Sequence, residues 1–218
     1  NIELLKMLGA NAFWQGQIPY YKRDFSAAVP FFELYRDYSE RLYKLAPTDK
    51  DSVIELSYAY NTLGSLALEQ KDYIEAQVFF TQSLDLKNKA FLELGCGSGI
   101  ISLLASKKGA FVTATDINNI ALDHLKKASF ENQLKVEIID SDLFKNLKNK
   151  SFDLIIINPP YYPKKAKNIK EKAWFCGEDF EYFKGLFNQL PNFMTNHNQV
   201  NMILSEDCQI EIITSIAS

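Results

Sequence analysis

Apolar residues recur at helical spacing along the first 87 residues and in short continuous runs after residue 90. In the first part, apolar positions three or four apart predict amphipathic helices. The predicted helices cover residues 1–18, 31–46, 52–69 and 73–87. Residues 20–30 are predicted to form an aromatic connector that ends at Pro30.

Short apolar runs alternate with amphipathic runs from residue 90 onwards. The predicted strands cover 91–94, 110–115, 135–139, 152–157 and 199–204, the last ending in Ser205-Glu206-Asp207. The predicted helices cover 99–108, 118–130, 178–190 and 207–217, and 163–177 is a lysine-rich loop. Repeated strand–helix units predict an α/β fold, a doubly wound and mostly parallel Rossmann-like sheet. Ligands bind such sheets at the carboxyl ends of the strands.

The change of pattern at Lys89-Ala90 predicts two domains, an all-α segment over 1–89 and an α/β domain over 90–218. Part of the helical segment resembles a tetratricopeptide repeat, most clearly over 57–88. Its small and aromatic positions are occupied by Tyr60, Leu63, Gly64, Ala67, Ala76, Phe80 and Ser83. The small residues should let two helices approach, with Phe80 filling the space between them.

The repeat pattern departs from the family in two ways. Asn88 stands where proline usually closes the repeat, and only one copy is clear, although 31–47 resembles the second helix of a degenerate preceding copy. An ordinary helical hairpin that packs on the next domain is the alternative. A repeat would imply a protein partner for the helical segment.

Composition narrows the functional classes. The net charge is −3, so no global basic field attracts nucleic acid, and the three arginines all lie before residue 42. The cysteines Cys96, Cys176 and Cys208 are far apart, which predicts neither a disulfide framework nor a zinc site. No apolar run reaches the length of a membrane span. We expect a cytoplasmic protein without a metal or a membrane partner.

Three glycines at alternate positions, Gly95, Gly97 and Gly99, follow the first predicted strand and precede a predicted helix. Glycine allows unusual dihedrals and close approach of a ligand, and a helix start supplies unpaired N–H groups. Such a turn by itself fits several kinds of nucleotide site. Asp116 and Asp142, at the ends of the next two strands, favour a ligand with hydroxyl and amino groups.

The segment Glu93-Leu94-Gly95-Cys96-Gly97-Ser98-Gly99, together with Asp116, Asp142 and Asn158-Pro159-Pro160-Tyr161, resembles the class I S-adenosylmethionine-dependent methyltransferases. The similarity covers residues 90–213. The Asn-Pro-Pro-Tyr form resembles the branch that methylates planar nitrogens, such as the release-factor glutamine methyltransferases. The resemblance implies S-adenosyl-L-methionine as the cofactor.

The resemblance also implies a role for each motif residue. The implied cofactor-binding residues are Glu93, Gly95, Cys96, Gly97, Gly99, Asp116, Ile117, Asp142 and Leu143. The glycine backbone would wrap the methionine part, and Glu93 would help hold its amino group. Asp116 would bind the ribose hydroxyls, Asp142 would bind the adenine amino group, and Leu143 would pack on the ring.

The implied catalytic residues are Asn158, Pro159, Pro160 and Tyr161. An amide or aryl-amine nitrogen is a poor nucleophile because its lone pair is delocalised. The side-chain oxygen of Asn158 and the carbonyl of Pro159 are two acceptors that could hold its N–H bonds, pre-positioned by proline. Tyr161 offers a flat face to a planar group. A simple turn after a strand is the alternative interpretation.

The acceptor is less well defined. Two features favour a protein glutamine amide as the acceptor. The positive charge is low, and residues 175–180 loosely resemble the Gly-Gly-x-Asp-Gly segment of the release-factor enzymes. Five lysines in 163–172 favour instead adenine or guanine in RNA or DNA, unless they form only a solvated loop. A non-catalytic helical binding module with a degenerate cofactor domain is a further alternative. The glycine spacing and the Asn-Pro-Pro-Tyr motif disfavour a nucleotide-dependent oxidoreductase.

One departure concerns the sheet. Class I folds usually add two more strands after the last helix, and this sequence stops at Ser218 before them. We therefore expect a sheet that lacks its last strands, in a chain that is a fragment or a fusion.

Overall fold

The structure, a computed structural model, describes residues 2–148, 150–205 and 208–217, without the side chains of Tyr73 and residues 195–197. The chain divides into two compact units, residues 1–85 and 86–218. The division falls four residues before the predicted one. Within the described residues, no helix combines the length and the apolar character needed to cross a membrane.

Within the described residues, four helices form the first unit, and each packs on the next along the chain. They are α1 (Ile2–Tyr21), α2 (Phe25–Leu45), α3 (Lys50–Glu69) and α4 (Tyr73–Ser83). The carboxylates of Asp24, Asp49 and Asp72 cap the last three helices, and each accepts a backbone N–H three residues on. Such caps satisfy backbone donors that a helix start leaves unpaired.

The aromatic connector predicted over 20–30 is wrong. Helix α1 continues to Tyr21, and α2 begins at Phe25 because Asp24 accepts a hydrogen bond from the N–H of Ala27 at 3.1 Å. Pro30 lies inside α2 and does not end it. The helix predicted over 73–87 ends earlier, at Ser83.

Glycine allows the helices of each hairpin to approach closely. A Cβ atom on Gly64 of α3 would lie 2.7 Å from the Phe80 ring, so Phe80 fills this space as predicted. A Cβ atom on Gly16 of α1 would lie 2.6 Å from the Phe32 ring of α2. The two hairpins share one spacing at an offset of 48 residues: Gly16, Asp24, Ala28 and Phe32 against Gly64, Asp72, Ala76 and Phe80.

The second unit is a parallel sheet with helices on both faces, as predicted. Its described strands are β1 (Ala90–Leu94), β2 (Phe111–Asp116), β3 (Val136–Asp140), β4 (Phe152–Ile157) and β5 (Met194–Met202), in the order β3-β2-β1-β4-β5. The helices are α5 (Ile100–Lys107), α6 (Asn119–Glu131), α7 (Glu181–Gln189) and α8 (Ile210–Ala217). Short 3-10 turns occur at Glu171–Ala173 and Leu190–Phe193.

Three boundaries in this unit differ from the prediction by three residues or more, and one of them is the start of α8 at Ile210 instead of residue 207. Strand β5 begins at Met194 instead of residue 199. The prediction missed the first half of this strand because its sequence is polar. This half pairs with β4 through an irregular register. Helix α7 begins at Glu181 instead of 178, after Phe180 in a left-handed conformation. The predicted strand-end residues Glu206 and Asp207 lie outside the described residues.

Both faces of the sheet are buried. On one face, Leu92 and Ile155 pack with Phe183 of α7 and Ile213 of α8 in an apolar cluster. A separate cluster joins Cys96 and Ala114 to the buried leucines of α6, Leu122 and Leu125. With both faces covered, the carboxyl ends of the strands remain as the edge that a ligand can reach.

The close approach of the helices makes a prediction about the first unit. Gly64→Ala and Gly16→Ala should each lower the free energy of unfolding by about 1–2 kcal/mol, because the added methyl group overlaps a phenylalanine ring. Chemical unfolding followed by circular dichroism measures this change. Gly9→Ala is the matched control, since its Cβ atom would lie 3.5 Å from the Tyr35 ring, an ordinary contact. Equal stability for all three variants would contradict the packing.

Candidate functional site

Three neighbouring strands end side by side and define the site. Leu94, the last residue of β1, pairs with Thr115 of β2 and with Ile157 of β4. Gly95, Asp116 and Asn158 are the next residues on the three strands. Since paired strands lie about 5 Å apart, the structure brings these three predicted residues to one edge.

The turn after β1 is fixed by hydrogen bonds to the end of β2. The N–H groups of Gly95 and Cys96 both donate to the carbonyl oxygen of Thr115, at 2.9 and 2.7 Å. The N–H of Gly97 donates to Oδ2 of Asp116 at 2.8 Å. The chain therefore turns sharply at the strand end and enters α5 after Gly99.

The three glycines of this turn have two different roles. All have positive φ, +78° at Gly95, +49° at Gly97 and +73° at Gly99. A Cβ atom on Gly95 or Gly97 would meet nothing within 4 Å, so these two face open space where a ligand can approach the backbone. A Cβ atom on Gly99 would lie 2.5 Å from Leu125 of α6, so Gly99 leaves room for this side chain.

Asp116 presents both carboxylate oxygens at the end of β2. Oδ1 accepts the N–H of Asn118 at 2.8 Å, and Oδ2 accepts that of Gly97. Each oxygen has a second lone pair, so the fixed carboxylate can accept hydrogen bonds from a ligand. Ile117, the next residue, is half-buried.

Asp142 and Leu143 lie in the turn after β3, next to Asp116. The N–H of Ser141 donates to the carbonyl oxygen of Asp116 at 3.0 Å, and its hydroxyl donates to that of Leu143 at 2.8 Å. Asp142 is exposed, and Leu143 is half-buried with a φ of +51°. The turn thus places a carboxylate and an apolar side chain beside the Asp116 carboxylate.

Glu93 is a buried carboxyl group on β1. Its Oε2 accepts hydrogen bonds from the backbone N–H of Ser102, at 2.8 Å, and from the Ser102 hydroxyl. Burial raises the pKa of Glu93 to about 7, the Ser102 bonds oppose this, and the Asp116 charge adds to it. A cation bound nearby would restore the charged form.

Cys96 points away from this edge. Its side chain is 4% exposed and packs with Ala114 and Leu122. Burial raises the pKa of the thiol, which disfavours the reactive thiolate form. Only the backbone of Cys96 is part of the turn.

The Asn-Pro-Pro-Tyr motif leaves the end of β4. Asn158 is exposed, Pro159 is buried, and Pro160 is half-buried. Tyr161 packs against the sheet core, with its ring 4.9 Å from that of Tyr162 in an edge-to-face arrangement. The exposed amide is therefore carried on a segment that packing and two prolines restrain.

The loop after the motif returns to it. The N–H of Tyr162 donates to the carbonyl oxygen of Trp174 at 3.1 Å, and that of Cys176 donates to Tyr162 at 2.9 Å. Gly177 and Phe180 both have positive φ, +94° and +55°. Residues 175–180, which loosely resemble the Gly-Gly-x-Asp-Gly segment, therefore have left-handed conformations at positions 177 and 180. The second of these residues is phenylalanine instead of glycine.

The sequence did not single out Tyr182, which follows this loop. Its hydroxyl lies near enough to Asp116 and Asp142 for both carboxylates to raise its pKa, together with burial. The tyrosine is not part of any motif, and only the packing of α7 brings it to the site.

The chemistry of the site fits an adenosyl cofactor with a cationic end. Open space above Gly95 and Gly97 admits a ligand to the backbone. Asp116 and Asp142 are acceptors for hydroxyl and amino hydrogens, and Glu93 favours a positive charge. No group of three His, Cys, Asp or Glu within the described residues is arranged to hold a metal ion.

Comparison with known proteins finds similarity to methyltransferases. Residues 71–175 match the family model described as the methyltransferase small domain. A Methanocaldococcus jannaschii protein, provisionally named a protein N5-glutamine methyltransferase, is 35% identical over 128 residues, covering 56% of this chain and 64% of that protein. The ribosomal RNA small subunit methyltransferase C of Haemophilus influenzae is 36% identical over 176 residues, covering 76% of this chain and 53% of that protein.

The fold also matches solved structures. The crystal structure of a methyltransferase from Pyrococcus furiosus superposes with a TM-score of 0.51 at 20% identity, covering 68% of this chain and 69% of that chain. The second unit therefore has the Rossmann-like methyltransferase fold, and the similar sequences are those of proteins named as methyltransferases. The chain spans between half and two thirds of the two curated relatives described above.

The raised pKa of Glu93 makes stability depend on pH. An unfolded chain releases this proton near pH 4.5, but the folded protein keeps it until about pH 7. The folded state therefore loses stability as pH rises through this window, by up to ~3 kcal/mol. Glu93→Gln should raise the unfolding temperature at pH 8 and leave it nearly unchanged at pH 4.

Glu137→Gln is the matched control for this prediction. Lys150 lowers the pKa of Glu137, so removal of that carboxylate should not stabilise the protein at pH 8. Thermal unfolding of both variants at the two pH values gives the comparison. If Glu93→Gln raises the unfolding temperature equally at pH 4 and pH 8, the pKa of Glu93 is not raised in the folded protein.

Proposed function

We propose that the protein is an S-adenosylmethionine-dependent N-methyltransferase that acts on a planar nitrogen. The observation that carries the proposal is the alignment of Gly95, Asp116 and Asn158 at the ends of three paired strands. The alignment supports a cofactor turn beside a motif that would hold an amide or amine. The relatives named as methyltransferases support the same reaction class.

Different residues would bind the cofactor and hold the acceptor. Asp116 and Asp142 would accept hydrogen bonds from the adenosine part, and Glu93 would favour the charged amino group. When bound, the cofactor would supply an electrophilic methyl group. The Asn158 oxygen and the Pro159 carbonyl would hold the acceptor N–H bonds and aim its lone pair, and Tyr161 would stack on its plane. Orientation of this kind contributes ~7–11 kcal/mol in well-aligned reactions.

No side chain needs to act as a base before transfer. The acceptor nitrogen becomes more acidic once it is methylated, so its proton can leave to water afterwards. The rate therefore depends on the position of Asn158 and not on a titrating group. Burial of Pro159 supports this, because it restrains the carbonyl that forms half of the acceptor pair.

A protein glutamine side-chain amide is the first candidate acceptor. The name of the Methanocaldococcus jannaschii relative specifies this substrate. The left-handed positions at Gly177 and Phe180 support the likeness to the glutamine methyltransferases noted in the sequence. The net charge of −3 also suits a protein acceptor better than a polyanion.

An exocyclic amine of a base in RNA or DNA is the second candidate, and the loop after the motif favours it. The loop has five exposed lysines and an exposed tryptophan, and its backbone is bonded to Tyr162. These residues are Lys164, Lys165, Lys167, Lys170, Lys172 and Trp174. A basic surface beside Asn158 would attract phosphates, and Trp174 could stack a base. The name of the Haemophilus influenzae relative specifies ribosomal RNA.

For the helical unit we propose a tetratricopeptide-repeat-like fold that binds a protein partner. The shared spacing of its two hairpins supports a repeat, and a groove of about 690 Å³ opens beside Arg36, Glu40 and Tyr60. Arg36→Glu should then weaken methylation of a protein acceptor while cofactor affinity stays unchanged.

The three buried free cysteines suit the cytoplasm, which we propose as the location.

The roles of Asn158 and Asp116 are separable. Asn158→Ala should abolish transfer of labelled methyl groups but leave affinity for S-adenosylmethionine within about twofold, because the amide contacts the acceptor. Asp116→Ala should lose both cofactor binding and transfer. Binding by calorimetry and transfer to pools of ribosomal protein, release factor, RNA and DNA provide the two measurements.

Asn132→Ala is the control, since this exposed asparagine lies at the far end of α6. This variant should keep both the affinity for S-adenosylmethionine and the transfer of methyl groups. If the unaltered protein binds no cofactor at high micromolar concentration, the enzyme proposal fails in favour of a binding module. Loss of cofactor affinity in Asn158→Ala would instead make Asn158 structural.

The lysine loop separates the two acceptor candidates. Reversal of charge at Lys164, Lys165 and Lys167 should reduce methylation of RNA or DNA by at least tenfold and flatten its salt dependence. It should leave methylation of a protein acceptor nearly unchanged. The matched control reverses three exposed lysines elsewhere, Lys107, Lys126 and Lys127. Equal effects of the two triple variants would show that the loop does not guide the acceptor.

A further inference from the structure

Tyr182 is placed firmly at the start of α7. The chain enters this helix through Phe180 in a left-handed conformation, and the N–H of Tyr182 donates to the carbonyl oxygen of Cys176 at 3.0 Å. Its ring lies 5.4 Å from that of Phe183 in an edge-to-face arrangement, and the side chain is half-buried against the core. A tyrosine held in this way has little rotational freedom to lose when a ligand binds.

The helix turns this tyrosine towards the predicted adenosine site. Residues three apart share a helix face, so Tyr182 and Gly185 face the same way. A Cβ atom on Gly185 would lie 3.1 Å from Cδ1 of Leu143. The face of α7 that carries Tyr182 therefore lies against the turn that holds Asp142 and Leu143.

The hydroxyl of Tyr182 stays neutral in this position. Burial raises its pKa first, and the negative charges of Asp116 and Asp142 raise it further. A neutral phenol keeps its proton and can donate one hydrogen bond.

A donor complements the other groups at this place. Ionised carboxylates only accept hydrogen bonds, so Asp116 and Asp142 suit the hydroxyl and amino hydrogens of adenosine. The ring nitrogens and the ribose oxygen of adenosine are acceptors and need a donor. Tyr182 lies on the face of α7 that packs against the turn of Asp142 and Leu143, and its hydroxyl can supply this donor.

We propose that Tyr182 is a further cofactor-binding residue, whose hydroxyl donates a hydrogen bond to the adenosine part of the cofactor. This inference rests on the proposed function, because it needs an adenosyl ligand at the turn after β1. It assigns to α7 a direct part in cofactor recognition. Tyr182 contacts the cofactor in this account and takes no part in holding the acceptor.

Tyr182→Phe tests the proposal, since it removes the hydroxyl and keeps the ring. Calorimetric titration with S-adenosylhomocysteine should show about 3–10-fold weaker binding, the usual effect of one neutral hydrogen bond. In turnover assays the KM for S-adenosylmethionine should rise by a similar factor with kcat within twofold. Tyr43→Phe, which alters an exposed tyrosine of α2, is the matched control and should leave affinity unchanged.

The outcomes separate this inference from the proposed function. If the unaltered protein does not bind S-adenosylhomocysteine, the proposed function fails and this inference fails with it. If it binds and Tyr182→Phe binds equally well, only the role of Tyr182 is overturned. A weaker affinity accompanied by a lower unfolding temperature of the ligand-free variant would also overturn it, because the hydroxyl would then support the fold.

Discussion

The carbonyl oxygen of Thr115 accepts two successive N–H groups, those of Gly95 and Cys96, and the remaining site geometry depends on this contact. It bends the chain at the end of β1 and ties the bend to β2. Asp116, the next residue, then accepts the N–H of Gly97, so its carboxylate is fixed by the same turn. Without these bonds, neither the glycine backbone nor the carboxylate would have a defined position for a ligand.

The charges at this edge suit the proposed ligand, which has both a nucleoside and a cationic group. Glu93 is buried, and the negative charge of Asp116 further disfavours its ionisation. The ligand-free site therefore carries an unfavourable negative charge above about pH 7. A cationic ligand would relieve it, which couples stability, pH and binding through one side chain.

The sequence was a good guide where local chemistry decides the structure. Three glycines after an apolar run predicted the turn, and the strand–helix alternation predicted the parallel sheet. It was a poor guide where tertiary packing decides. Strand β5 is polar along its first half, so only pairing with β4 defines it. The prediction missed the equivalence of Gly16 and Gly64, because the two lie 48 residues apart and a connector was predicted up to Pro30. It also missed Tyr182, which reaches the site only because α7 packs on the turn after β3.

The central claim is that one ligand spans the ends of β1, β2 and β4 with its reacting end towards Asn158. A crystal structure of the protein with S-adenosylhomocysteine tests this most directly. We predict the ribose hydroxyls on Asp116, the amino-acid part along the glycine turn, and the sulfur facing the Asn158 amide. A ligand bound elsewhere, or with its sulfur turned away from Asn158, would contradict the account.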